Sequence, residues 1–168
     1  MTKTPILVVE DDPFLRVVGI LLDPATAAER HAAYADFFAH DEPDFDGYCA
    51  RVRERIGALF PSQVRLVETI EDMRASLPGA RGLIVESLPV GPAELAAGSD
   101  LVVVQKYGAM PRNIDTAACA AISASRAART AANPRGVPGS IMMMARRASA
   151  HACCTTVFAS GGGSSPRT

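Results

Sequence analysis

Three short apolar runs in this chain end in polar residues that can do chemistry. Ile6-Leu7-Val8-Val9 leads into Glu10-Asp11-Asp12, Leu83-Ile84-Val85 into Glu86-Ser87, and Leu101-Val102-Val103-Val104 into Gln105-Lys106-Tyr107-Gly108. Two adjacent carboxylates can hold a divalent cation for phosphoryl chemistry. Gly108 lets the backbone turn sharply, so that the turn Tyr107-Gly108-Ala109 can present amide N–H groups to a carboxylate. Lys106 and Glu86 read first as exposed residues at the rim of that turn, with a charge for the substrate side as the alternative role. Asn113 and Asp115 have the short polar side chains that close loops through Asx-type bonds and cap a following helix. His31, His40 and His151 belong to no comparable grouping. The cysteines Cys49, Cys119, Cys153 and Cys154 make no Cys-x-x-Cys pair, so no metal site is expected.

The elements that must position these residues follow from the apolar pattern. Residues 6–10, 64–67, 82–86 and 101–105 read as strands, and the longer runs lack the alternation of half-exposed strands, as expected when a sheet is covered on both faces. Helices are expected at 25–38, 45–59, 71–76, 92–97 and 115–121, with Gly98 just past the end of the fourth and Asp115 as the N-cap of the fifth. Strands alternating with short helices make βαβ units. The fold expected is therefore α/β: a flavodoxin-like (Rossmann-like) three-layer parallel sheet of four or five strands over residues 1–121. In open parallel sheets, ligands sit beyond the carboxyl ends of the strands, where all three polar clusters lie.

Composition bounds the rest. The chain has 168 residues, 48% hydrophobic and 21% charged, enough for one domain with a core of its own. There is no run long and apolar enough for a membrane span, and the first residues lack a signal-peptide pattern, so the cytoplasm is the expected location and no membrane partner is expected. The net charge of −1 argues against a nucleic-acid partner, but it conceals an asymmetry. All eighteen acids lie at or before Asp115, whereas residues 116–168 carry six arginines and no acid. Fourteen alanines and a Ser160-Gly161-Gly162-Gly163-Ser164-Ser165-Pro166 end complete that segment. A basic nucleic-acid arm is one reading of it. With no interleaved aromatics, residues 122–168 read better as a poorly structured tail in which one helix can form near 141–150.

Two family resemblances bear on the polar clusters. Ile6-Leu7-Val8-Val9-Glu10-Asp11-Asp12-Pro13 looks like the first strand of a response-regulator receiver, whose acidic pair (here Asp11 and Asp12) binds a divalent ion, with Lys106 resembling the receiver lysine. The position where a receiver carries its phosphoacceptor aspartate falls instead at residues 48–54, inside an expected helix. A second resemblance covers more of the chain. Residues 100–118, from Asp100 through Gly108, Asn113-Ile114-Asp115 and Ala117-Ala118, resemble the D-isomer-specific 2-hydroxyacid dehydrogenases, whose substrate domain has a strand, a Gly-x-Gly-x-Asp-Asn-Ile-Asp-type loop and an Ala-rich helix. Gly108 matches the first glycine, while Met110 and Arg112 stand where the second glycine and the first aspartate are usual.

That resemblance implies an NAD(P)-dependent oxidoreductase of small 2-hydroxy or 2-keto acids. It makes Lys106, Tyr107, Gly108 and Ala109 the substrate-binding set and Asn113 and Asp115 the loop-structuring residues, and it allows a homodimer. It also implies what this chain would not do alone. The strand–Gly-x-Gly-x-x-Gly–helix loop that holds the cofactor has no counterpart, so no bound NAD(P) is expected. The family's arginine, acid and histidine have no counterpart either, so no catalytic residue is assigned. In Ala132-Asn133-Pro134-Arg135-Gly136-Val137-Pro138-Gly139-Ser140, Pro138 and Gly139 replace helix formers of the family and would cost roughly 3 and 1 kcal/mol inside a helix. A truncated or frame-altered product is the expectation.

Overall fold

The run at the amino end forms β1 (Ile6–Glu10), and all five of its residues are buried. Ile6 and Val8 face one side of the sheet and Leu7 and Val9 the other, the two-residue period of a strand covered twice. The computed structural model describes residues 3–108, 110–132, 142–147 and 153–157, with side chains described as far as Ser125. Around β1 lie β2 (Gln63–Val67), β3 (Gly82–Val85), β4 (Val103–Lys106), β5 (Met142–Arg147) and β6 (Cys153–Val157). They make one sheet in the order β2-β1-β3-β4-β5-β6, with β1 to β5 parallel and β6 antiparallel to β5.

Helices cover both faces. On one face, Met73 of α4 (Ile70–Ser76), Leu77 just past its end and Leu95 of α5 (Pro92–Ala97) share a core with Cys119 of α6 (Thr116–Ala132) and with Val8, Leu83, Val85 and Val104 of the sheet. On the other face, Val18 and Leu22 of α1 (Val17–Leu22) pack with Leu7, Val9, Val64 and Ile84. Outside α1 lie α2 (Ala28–Phe38) and α3 (Phe45–Ile56), joined to it through Ile20, Phe45 and Cys49. The expected α/β, flavodoxin-like three-layer architecture is the one observed. No helix among the described residues is long and apolar enough to cross a membrane.

Local chemistry sets the element ends. The Thr69 hydroxyl accepts from Asp72 N at the start of α4 (3.1 Å). Pro92 occupies the first turn of α5, and the Glu94 carboxylate accepts from Gly91 N at 2.8 Å. Gly98 ends that helix, as expected, but with a negative φ of −91°, so it is not a left-handed cap. A Cβ there would stand 2.4 Å from Leu101 Cδ1, so close packing of the buried Leu101 is what requires glycine.

The carboxyl-terminal part corrects an expectation. Residues 142–147, where a helix could form within 141–150, are strand β5, paired from Met142 to Ala145 against Val103 to Lys106 of β4. A helix there would have left the far edge of β4 unpaired. The unbranched methionines adapt to a sheet as readily as to a helix, so backbone pairing outweighs their helix propensity. With β6, the sheet has six strands among the described residues, where four or five were expected. Helix α6 runs to Ala132, past residue 121 where its end was placed. The helix α1 escaped the sequence reading because Val17-Val18-Gly19-Ile20-Leu21-Leu22 has no polar face.

Candidate functional site

Chain direction reverses across the sheet between β1 and β3: the chain moves from β1 outward to β2, then returns to β3 on β1's other side. Such a switch point opens a ligand position at the carboxyl ends of the two strands. Here those ends are Glu10 and the turn Glu86-Ser87-Leu88, with Lys106-Tyr107-Gly108 of β4 beside them.

Glu10 is buried at 8% exposure, yet fully satisfied. Its Oε2 accepts from the amides of Glu86 (2.6 Å), Ser87 (2.8 Å) and Leu88 (3.0 Å), and its Oε1 takes the Ser87 hydroxyl. Three successive amides converging on one anion form a nest. Burial alone would raise the Glu10 carboxyl, but the Ser87 hydroxyl and the amides of Leu88, Ser87 and Glu86 more than offset it and hold the group below its ordinary value. The nest is thus filled by the chain's own carboxylate.

Lys106 lies next to it. Its position at the end of β4 suggested a rim residue, but the side chain is buried because it points back along the strand end under Glu86. The ammonium donates to the Glu86 carboxylate, to the Glu86 carbonyl and to the Tyr107 carbonyl (2.6 Å). Glu86 itself remains partly exposed. Gly108 follows in the left-handed region, with φ of 103°, where any side chain is strained. A Cβ at Gly108 would sit 3.4 Å from Glu86 Oε2 and 3.6 Å from Lys106 Nζ. The glycine therefore lies directly over the ion pair.

The remaining expected residues are distributed around this centre. The Tyr107 amide, expected to face a ligand, instead donates to Val85 O at 2.8 Å, because it continues the β3–β4 ladder. The Tyr107 ring stacks on Phe14, centroids 6.2 Å apart and planes 16° from parallel. Ala109 lies outside the described residues. Asn113 does not close its own loop: its amide nitrogen donates across to Leu88 O (2.8 Å), which ties the loop after β4 to the turn after β3. The two segments also exchange Val90 N to Asn113 O and Asp115 N to Val90 O, both at 2.8 Å. Asp115 Oδ1 accepts from Ala118 N at 2.8 Å, a cap for α6.

The acidic pair after β1 is engaged internally. Asp11 receives the Arg16 guanidinium, which lowers its carboxyl and raises Arg16. Asp12 Oδ1 accepts from Phe14 N (2.8 Å) and Leu15 N (3.3 Å). Among the described residues, no three His, Cys, Asp or Glu side chains come together as a metal site. The pairing that the sequence reading missed is Glu10 with Ser87. Its signal was an acid closing an otherwise apolar, buried strand, which demands compensation.

A dinucleotide needs helix-terminal amides for its pyrophosphate. Here acidic side chains hold or flank those amides at five helices: Glu29 in the first turn of α2, Asp44 on Gly47 N at α3, Asp72 at α4, Glu94 at α5 and Asp115 at α6; α1 has no acid in its own first turn, but the loop leading into it from β1 carries Asp11 and Asp12 and no glycine. A phosphate would meet a carboxylate at each of the five, so these residues do not fit a dinucleotide.

No known family profile matches the sequence, and no curated protein matches it. Among solved structures, the NAD+-bound 3-phosphoglycerate dehydrogenase of Entamoeba histolytica is similar with a TM-score of 0.45 and 18% identity. The match covers 85% of this chain and 33% of that one, so the chain spans about a third of the length of the protein it matches.

Proposed function

We propose that this chain is the substrate-side domain of an oxidoreductase acting on small 2-hydroxy or 2-keto acids, with its carboxylate seat at Lys106 and Gly108. The observation that carries the reading is Gly108 at a positive φ directly over the Lys106 ammonium, beyond the carboxyl end of β4. A buried ammonium supplies the charge for a carboxylate, and a residue without Cβ leaves room for the carbon that bears it. Asn113 supports the site by fixing the Glu86-Ser87-Leu88 turn against the loop after β4. The resemblance of residues 100–118 to the D-2-hydroxyacid dehydrogenases supports the choice of acid. The same resemblance motivates NAD(P) as the redox partner, held by a separate domain, because no helix terminus described here fits it.

In this reading the chain binds and orients; the hydride and the proton donor come from elsewhere. The test is titration of the 15N-labelled chain with glyoxylate and pyruvate. Amide shifts centred on Gly108 and its neighbours are expected, with millimolar affinity, since water is not excluded from an open site. Shifts confined to the arginines at 126–167, or none, would refute the seat. The purified chain with reduced nicotinamide and either acid should give no turnover.

A further inference from the structure

We propose that Glu86 is an internal carboxylate lodged in the seat at Lys106, so that an acid binds there by exchanging with it. The inference rests on the carboxylate seat proposed above and adds how that seat is regulated.

Lys106 has three acceptors: the carbonyls of Glu86 and Tyr107, which belong to pinned backbone, and the Glu86 carboxylate. The Glu86 backbone is held on both sides. Its amide donates to Glu10, and its carbonyl takes Lys106 and the Asn113 side chain. Only the side chain is free to rotate. At 39% exposure it already reaches water, while the Lys106 side chain is 7% exposed and has no comparable escape. Rotation of Glu86 would therefore leave a largely buried ammonium with two carbonyl partners and no anion, a charge that a small carboxylate can pair.

Glu10 marks the contrast. It also fills an anion position, but its departure would strand three amides and a hydroxyl at once. Of the two internal carboxylates, Glu10 is structural and Glu86 exchangeable. Gly108 completes the device. Because Gly108 has no side chain, the position where a Cβ would touch Glu86 Oε2 at 3.4 Å and Lys106 Nζ at 3.6 Å carries no carbon, so this residue does not crowd a carboxylate that takes the place of Glu86.

An internal competitor lowers apparent affinity by the fraction of time it leaves the seat empty. If the open state is about a tenth of the population, removing the competitor tightens binding about tenfold. The experiment is titration of full-length 15N-labelled wild type, Glu86→Ala and Glu86→Gln with glyoxylate, following Gly108 and Lys106 amides. Glu86→Ala is expected to bind about tenfold more tightly than wild type, with Glu86→Gln in between, because its amide still accepts from Lys106 without the charge. Should Glu86→Ala fail to fold, the same ordering is read from Glu86→Gln against wild type. Equal affinity in all three, with Gly108 responding, overturns the exchange and leaves the seat intact. Silence at Gly108 in every protein overturns the seat, and the exchange with it.

Discussion

Replacing Glu10 tests whether a carboxylate buried at the switch point holds the β1 and β3 strand ends together. In Glu10→Ala the three amides of Glu86, Ser87 and Leu88 and the Ser87 hydroxyl lose their acceptor. A stranded buried donor costs about 1–3 kcal/mol. The turn is near the surface, so water reaches some of these groups, and the sum is well below four full penalties. Loss of about 3–4 kcal/mol is expected, a large fraction of the roughly 5–15 kcal/mol of a typical domain. Glu10→Gln should cost less, about 1–2 kcal/mol: its oxygen can keep the three amides, and the Ser87 hydroxyl can turn to accept from the new amide group, but the charge is lost. Urea unfolding gives both values from the midpoint at constant slope. Formate, small enough to refill the nest, should restore part of the Glu10→Ala loss by mass action. An Ala variant within 0.5 kcal/mol of wild type would refute the reasoning, since a buried structural carboxylate that accepts from four partly buried donors cannot be that dispensable.

Gly108→Val forces a branched side chain into φ of 103° and should destabilise the chain by roughly 1–3 kcal/mol while abolishing glyoxylate shifts; unchanged stability would mean the turn relaxes to negative φ. Acidification should weaken the fold in a defined window. The carboxyls of Glu10, Asp11 and Glu94 are all lowered in the folded chain: against burial at Glu10 by Ser87 and the nest amides, at Asp11 by Arg16, and against burial at Glu94 by Gly91 N and Arg74. A lowered carboxyl contributes stability above its unfolded value, near 4.5 for Glu, that is lost as pH falls through the folded value. Urea midpoints should therefore decline below about pH 4.5, and Glu10→Gln should flatten part of that slope.

How much of this could be read from the residues varied with the kind of force involved. The strands β1, β3 and β4 were legible because continuous apolar runs of that length have few other uses in a chain this size, and β2 (Gln63–Val67), interrupted by Arg65, was legible from its place in the strand–helix alternation. Their polar ends were legible for the same reason: the strand-end rule fixes where a ligand position opens. The partners at those ends were not. Lys106 is buried because Glu86, twenty residues earlier, folds over it, and no local pattern encodes that distance. The Asp11-Asp12 pair looked more chemical than Glu10, although Glu10 is the buried one and the pair serves Arg16 and a turn. At β5 the failure was of another kind: Met142-Met143-Met144 carries almost no preference, and the open edge of β4 decided its state. Glycines divided similarly, since Gly108, singled out for a sharp turn, sits at φ of 103°, whereas Gly98 is required by Leu101.

The electrostatics of the switch point make exchange a more economical account of recognition than attraction. Two neighbouring clusters meet at Glu86: the Glu10 carboxylate with the three amides of the nest, and the Glu86 carboxylate with the Lys106 ammonium. The amides neutralise Glu10 locally, and Lys106 neutralises Glu86, so an approaching acid meets no net positive field and gains no steering in its encounter. Affinity then depends on what the acid does that Glu86 cannot. Glu86 reaches Lys106 through a side chain anchored in the turn after β3, and its second oxygen lies 3.9 Å from the vacant Cβ position of Gly108. A free 2-keto acid is not tethered in that way and can place its carboxylate on Lys106 while its keto oxygen turns toward the Gly108 amide. A simple carboxylate such as acetate can only substitute for Glu86. The seat should accordingly separate glyoxylate from acetate in wild type, and the separation should persist in Glu86→Ala while both affinities rise together. If acetate and glyoxylate bind alike in both proteins, the Gly108 amide takes no part and Lys106 alone is the site.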